Sequence, residues 1–131
     1  MKRLTVLGLT AAVLLYASVA SAAPSTPVLT KDLPNIPGYR MTAIRISYAP
    51  GQVSPPHRHS ASGFIFAYVL SGAIESQVEG EPSRVYHAGE TWTEGPGAHH
   101  IVGRNASATE PAELLVVFVA PKDATLTTVD H

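Results

Sequence analysis

An all-β domain, built as a sandwich or closed barrel of short strands, is the fold class this sequence predicts. Three observations lead there. The apolar segments are short and rich in β-branched and aromatic residues. Glycine and proline turns separate them about every 8–12 residues, the spacing of sandwiches and barrels. After the first 22 residues, no segment of ten or more residues carries an apolar stripe of helical period.

The chain has 131 residues, enough for one domain. Its start reads as a secretory leader. Lys2-Arg3 is followed by an apolar run from Leu4 to Tyr16, and Ala20-Ser21-Ala22 supplies small residues for cleavage after Ala22. The run is short for a bilayer span. The expectation is export to the periplasm or beyond, with no membrane attachment after cleavage. Residues 1–22 are then leader, 23–39 an extended lead-in, 40–120 the barrel and 121–131 a loose tail.

The lead-in holds Pro24, Pro27, Pro34 and Pro37, with room for one edge strand around Val28 to Thr30. Met41 to Tyr48 alternates, placing Ile44, Ile46 and Tyr48 on one face. Ala49-Pro50-Gly51 ends that strand. Phe64 to Leu70 is apolar throughout, as in a strand covered on both faces. Ser71-Gly72 is then a hairpin turn, with Ile74, Ser76 and Val78 on the returning arm. Arg84 to His87, Thr91 to Glu94 and His99 to Gly103 are short strands. Leu114 to Ala120 is the last long one, stopped by Pro121.

Chemistry concentrates at His57-Arg58-His59. In an extended chain, residues two apart point to the same face. Both imidazoles can therefore aim at one metal ion, while Arg58 points away. Gly97-Ala98-His99-His100 offers a third histidine. The chain has no cysteine, so its ligands are restricted to His, Asp and Glu; thiolate zinc sites and iron–sulfur clusters are excluded. Once Lys2 and Arg3 leave with the leader, ten acidic residues exceed the basic ones that remain. That balance argues against nucleic acid or an anionic membrane surface as partner.

These residues also carry a resemblance. The chain is similar to the cupin superfamily, small double-stranded β-helix barrels of the jelly-roll type. The first cupin motif, G-x5-H-x-H-x3-4-E-x6-G, is matched by Gly51, His57, His59 and the closing Gly72. The second, G-x5-P-x-G-x2-H-x3-N, is matched by Gly89, Gly97 and His100, with the proline and asparagine each displaced by one, to Pro96 and Asn105. The match spans roughly residues 40 to 120. Its G-x2-H spacing selects His100 over His99 as third ligand. The family glutamate is missing: counting back from Gly72 reaches Ile65, and counting forward from His59 reaches Gly63 or Phe64.

The resemblance implies a divalent transition metal (Fe, Mn, Ni, Zn or Cu) on His57, His59 and His100, with open positions for a small-molecule substrate or ligand. Glu94 shares a face with Trp92 and precedes the His100 loop. It can act as fourth ligand, as a base beside the metal, or simply as a solvated strand-end carboxylate. Relatives include dioxygenases, isomerases and decarboxylases, so a dioxygenase-like enzyme is one expectation and a non-catalytic binding or sensing module the other. The second apolar face of Phe64 to Leu70 suggests a homodimer, as in many cupins, unless a second sheet of the same chain covers it.

Overall fold

The computed structural model describes residues 21–131. The leader expected over 1–22 lies almost entirely outside them. The described residues form eleven strands and no helix: β1 (Ser25–Asp32), β2 (Tyr39–Tyr48), β3 (Val53–Ser54), β4 (His57–His59), β5 (Phe64–Ser71), β6 (Ala73–Val78), β7 (Arg84–His87), β8 (Thr91–Glu94), β9 (His99–Asn105), β10 (Ala112–Pro121) and β11 (Thr127–Val129). Two antiparallel sheets result, ordered β1-β2-β10-β5-β8 and β11-β4-β9-β6-β7, with β3 paired to β9. This is the jelly-roll arrangement expected.

Alternation builds the core between the sheets. Ile65, Ala67 and Val69 of β5 and Leu114, Val116 and Phe118 of β10 are buried, and β2 adds Tyr48. From the second sheet comes Ile74. Because successive strand residues face opposite ways, a one-residue slip would expose this entire set.

Four expectations need correction. The lead-in strand is longer than Val28 to Thr30: β1 runs from Ser25 to Asp32 and pairs with β2 across a bulge. Its one proline, Pro27, is tolerated because an edge strand leaves half its backbone groups unpaired.

Second, no sheet of the same chain covers the outer face of β5. Phe64, Phe66, Tyr68 and Leu70 form an outer row, each at least 36% exposed. The other sheet packs on the opposite side, so sheet-on-sheet burial cannot reach them.

Third, Ser71-Gly72 does not close a hairpin. β5 pairs with β10 and β8, whereas β6 pairs with β9 and β7. The chain changes sheets at Gly72. Its φ is +70°, and a Cβ there would lie 2.6 Å from the Pro111 carbonyl oxygen. Only glycine fits both the left-handed backbone and that close approach.

Fourth, the tail is not loose. Thr127, Thr128 and Val129 pair with His59, Arg58 and His57. β4 would otherwise be a bare edge, and its unpaired backbone groups recruit the returning chain.

Asn105, the displaced motif residue, is buried. Its Nδ2 donates to the Ala49 and Glu110 carbonyls at 3.1 and 2.7 Å, tying the loop before β10 to the end of β2.

Replacing Gly72 with Ala is expected to destabilise the domain by about 2 kcal/mol or more, since left-handed backbone alone costs an L-residue roughly 1–2 kcal/mol. Urea denaturation of G72A against the parent measures it; an unchanged midpoint would contradict the account of this corner.

Candidate metal centre

β4 and β9 place the imidazoles. His57 and His100 are direct cross-strand partners, and His59 lies two residues along β4 on the same face. One ring nitrogen from each of the three lies within 4.8 Å of the others. Nitrogens bound to one ion at about 2.1 Å can be no more than about 4.2 Å apart. Small side-chain rotations would therefore close the set. His59 and His100 are buried and His57 half-buried.

Each ring is aimed by a partner outside the cluster. His57 Nδ1 donates to the Pro55 carbonyl at 3.0 Å, and His59 Nδ1 donates to the Leu126 carbonyl at 3.0 Å. A carbonyl only accepts, so both Nε2 atoms are left as lone-pair donors toward the centre. His100 Nε2 is bonded to Ser76 Oγ at 2.8 Å, leaving Nδ1 on the inner side. Metal-binding histidines characteristically hold such outer hydrogen bonds. Gly103 makes room for this ring, since a Cβ at that position would sit 3.3 Å from His100 Cε1.

Glu94 comes from the facing sheet. It is 3% exposed, which excludes the solvated strand-end reading. Trp92 Nε1 donates to Oε1 at 3.0 Å. Oε2 lies 3.2 Å from His59 Nε2, and Oε1 lies 3.7 Å from His100 Nδ1. Among the described residues, Oε2 is the one buried side-chain oxygen or nitrogen without a hydrogen-bond partner. The residue opposite Glu94 in the β5–β8 ladder is Ile65, the position reached by counting back from Gly72 to the missing glutamate. Glu94 therefore stands beside that position, on the neighbouring strand.

Burial governs the protonation of the cluster. It pushes His100 down to about 4, although Glu94 pulls the other way. It also lowers His57, the Pro55 hydrogen bond opposing. Burial would lower His59 too, but a protonated ring could donate Nε2–H to Glu94, and that bond with the carboxylate charge prevails, so the value rises. Glu94 moves down: burial opposes ionisation, and His59, His100 and Trp92 outweigh it.

The centre forms one wall of a cavity of about 210 Å³. Ile46, Trp92, Leu114, Val116 and Phe118 make its apolar side, with Tyr48 and Ser54 hydroxyls 3.1 Å apart at the margin. No Lys or Arg is among the described residues that line it. His99 faces the other way, against Arg58, Glu79 and Asp130. Arg58 is exposed and points away from the centre, as alternation requires.

Sequence reasoning missed Ser76 and the two carbonyls. Ser76 had a signal: it is a polar residue in the inward row of β6. The Pro55 and Leu126 carbonyls had none, because every residue carries one.

The family model for the cupin domain matches residues 44–118. The chain belongs to the cupin family. Among solved structures, it is similar to TT1209 from Thermus thermophilus, at 29% identity over 76% of this chain and 84% of that one, with a TM-score of 0.60. A conserved protein with a double-stranded β-helix domain from Klebsiella pneumoniae subsp. pneumoniae MGH 78578 is 22% identical over 88% and 90%, with a TM-score of 0.64, which shows the shared cupin fold. An oxalate oxidase in complex with the substrate analogue glycolate is 26% identical over 79% of this chain and 53% of its own, with a TM-score of 0.56. No curated protein matches this chain.

The titration shifts set a pH dependence for the metal-free protein. Between the ordinary histidine value near 6.5 and about 4, the unfolded chain takes up a proton that folded His100 refuses. His57 acts in the same direction. His59 acts oppositely: its raised value adds stability below about 6.5 that is lost as pH rises through the folded value. Stability is expected to fall as pH drops from 6.5 toward 4, and less steeply in H100Q. Urea titrations in chelator across that range check this; equal slopes for parent and H100Q would refute it.

Proposed function

We propose that this cupin is an exported protein that holds a divalent transition metal on His57, His59 and His100, and that it acts as a dioxygenase-like oxidoreductase on a small organic substrate. The observation that carries the reading is the donor set itself. Three inward ring nitrogens, two of them fixed as lone-pair donors, converge beside a buried carboxylate oxygen that has no hydrogen-bond partner. A cation placed among them would satisfy every one of these acceptors. Nitrogen and carboxylate donors without sulfur suit Fe, Mn, Ni, Zn or Cu. Export is supported by the basic, apolar and small-residue order of residues 2–22.

When bound, the metal would supply Lewis acidity and, if redox-active, a partner for dioxygen. The protein's own residues do the rest. The Trp92 hydrogen bond to Oε1 holds Glu94 so that Oε2 faces the centre. From there Glu94 either completes the ligand set or accepts a proton from the substrate; its lowered pKa keeps it ionised for both. The apolar wall excludes water and strengthens each charge interaction inside. With no Lys or Arg lining the cavity among the described residues, substrate charge would have to be met at the metal. That favours a compact molecule with one oxygen-donor head and an apolar body.

A second copy is the partner this reading includes. The outer row of β5 is continuous with Leu115, Val117 and Val119 of β10 and with Met41 and Ala43 of β2. Arg45 and Glu113 lie 3.9 Å apart on this sheet, a pair of opposite charges that a twofold-related copy could meet with its own.

Elemental analysis of untagged protein is expected to find about one transition metal per chain, and H57A, H59A and H100A each to lose it. Oxygen uptake with phenolic and diketone substrates then tests catalysis. Ligand binding with no turnover would mark a binding module, and an unmetallated parent would end the metal reading. For the second copy, F66D is expected to shift sedimentation from dimer to monomer with metal content kept; a monomeric parent would exclude the dimer.

A further inference from the structure

We infer that the C-terminal strand β11 is a working part of the metal centre, a clamp that sets which nitrogen of His59 faces the ion. The inference rests on the metal reading above and concerns a segment beyond the cupin match, which ends at residue 118. Three observations support it.

The first is the contact itself. His59 Nδ1 donates to the Leu126 carbonyl at 3.0 Å, with Thr127 Oγ1 3.3 Å from the same nitrogen. That bond holds Nε2 unprotonated in the neutral ring and directs it inward. Without it, His59 could carry its proton on Nε2 and offer that N–H to Glu94 instead, and the lone pair would turn away from the centre. His57 and His100 take their outer partners from Pro55 and Ser76, both within the stretch the family model covers. Only His59 depends on the tail.

The second is enclosure. Thr127 and Val129 line the cavity, and Leu126 packs against the core. Removing the tail would open the cavity beside β4 and admit water.

The third is the fastening. β11 is an edge strand whose one neighbour in the sheet is β4. Beyond the ladder, Asp130 N donates to the Pro56 carbonyl at 3.0 Å. Arg58 Nη2 lies 3.0 Å from His99 Nδ1; since arginine only donates, Nδ1 accepts and Nε2 donates to Asp130 Oδ2 at 2.7 Å. Arg58 and His99 are the outward neighbours of ligands His59 and His100. The outer faces of β4 and β9 therefore grip the tail while their inner faces form the site.

Titrations with Zn(II) and Co(II) compare the full chain, a chain ending at Ala124, and D130A. The shortened chain is expected to bind about 10–100-fold more weakly, the usual cost of losing an outer partner of a metal ligand, and to show an altered Co(II) visible spectrum. D130A, which removes only a partly exposed carboxylate, is expected to lose several-fold in affinity while its metal-free form melts within a few degrees of the parent. It carries the test if the shortened chain does not fold. By reciprocity, metal added to the full chain is expected to slow amide exchange at Thr127 to Val129. Unchanged affinity and Co(II) spectrum in D130A, with exchange indifferent to metal, would overturn the inference while leaving the metal reading intact. A shortened chain that loses stability but keeps the parent's spectrum and affinity would also overturn it, by reducing the tail to a structural prop. Failure of the full chain to bind either ion would overturn both readings.

Discussion

Two acceptors face each other at the centre of this molecule. His59 gives its Nδ1 proton to a carbonyl, so the neutral ring turns a bare Nε2 toward Glu94 Oε2 at 3.2 Å. Neither atom has a proton to offer, and both are buried. Such a pair is repulsive unless something positive lies between or beside them. A proton can do it, which is why the His59 pKa rises and that of Glu94 falls. A divalent cation would do it better, because it could also meet His57 and His100. A metal ion and a proton would therefore compete for the same pair of acceptors, which the surrounding structure holds face to face.

The two sheets divide the task. The six-stranded sheet holds all three imidazoles on β4 and β9, where strand register alone sets their spacing. The five-stranded sheet brings Glu94 and Trp92 on its edge strand β8. The distance from carboxylate to imidazole thus depends on how the sheets pack, through Ile65, Val69, Leu114 and their neighbours. A close-packed core transmits small changes instead of absorbing them. Core volume and site geometry are coupled for that reason.

The position of Glu94 beside Ile65 has a consequence in the same geometry. Ile65 and Glu94 are cross-strand partners on the inward face, and the Cβ atoms of such a pair are about 4.5–5.5 Å apart. A glutamate can move between these two positions and still reach the same centre. What changes is its support: on β8 it gains the Trp92 indole as a donor two residues away.

Much of this was written in local sequence. Alternation marked the strands, and it assigned the inward faces of β2 and β8. The pair His57 and His59 shared a face because residues two apart in any strand must. Spacing within the cupin motif separated inward His100 from outward His99. Tertiary structure alone decided the rest. Nothing local says that Gly72 turns the chain into the other sheet, because a left-handed glycine serves a hairpin and a corner equally well. Nothing local says that the chain itself leaves one apolar face of β5 uncovered, since burial depends on what packs there. Residues 127–129 look loose in the sequence because an edge strand takes its order from the neighbour that lacks a partner, and that neighbour lies about 70 residues away in the chain. Residue types and their period are properties of the sequence; which carbonyl accepts from His59, and which carboxylate faces it, are properties of the packed sheets.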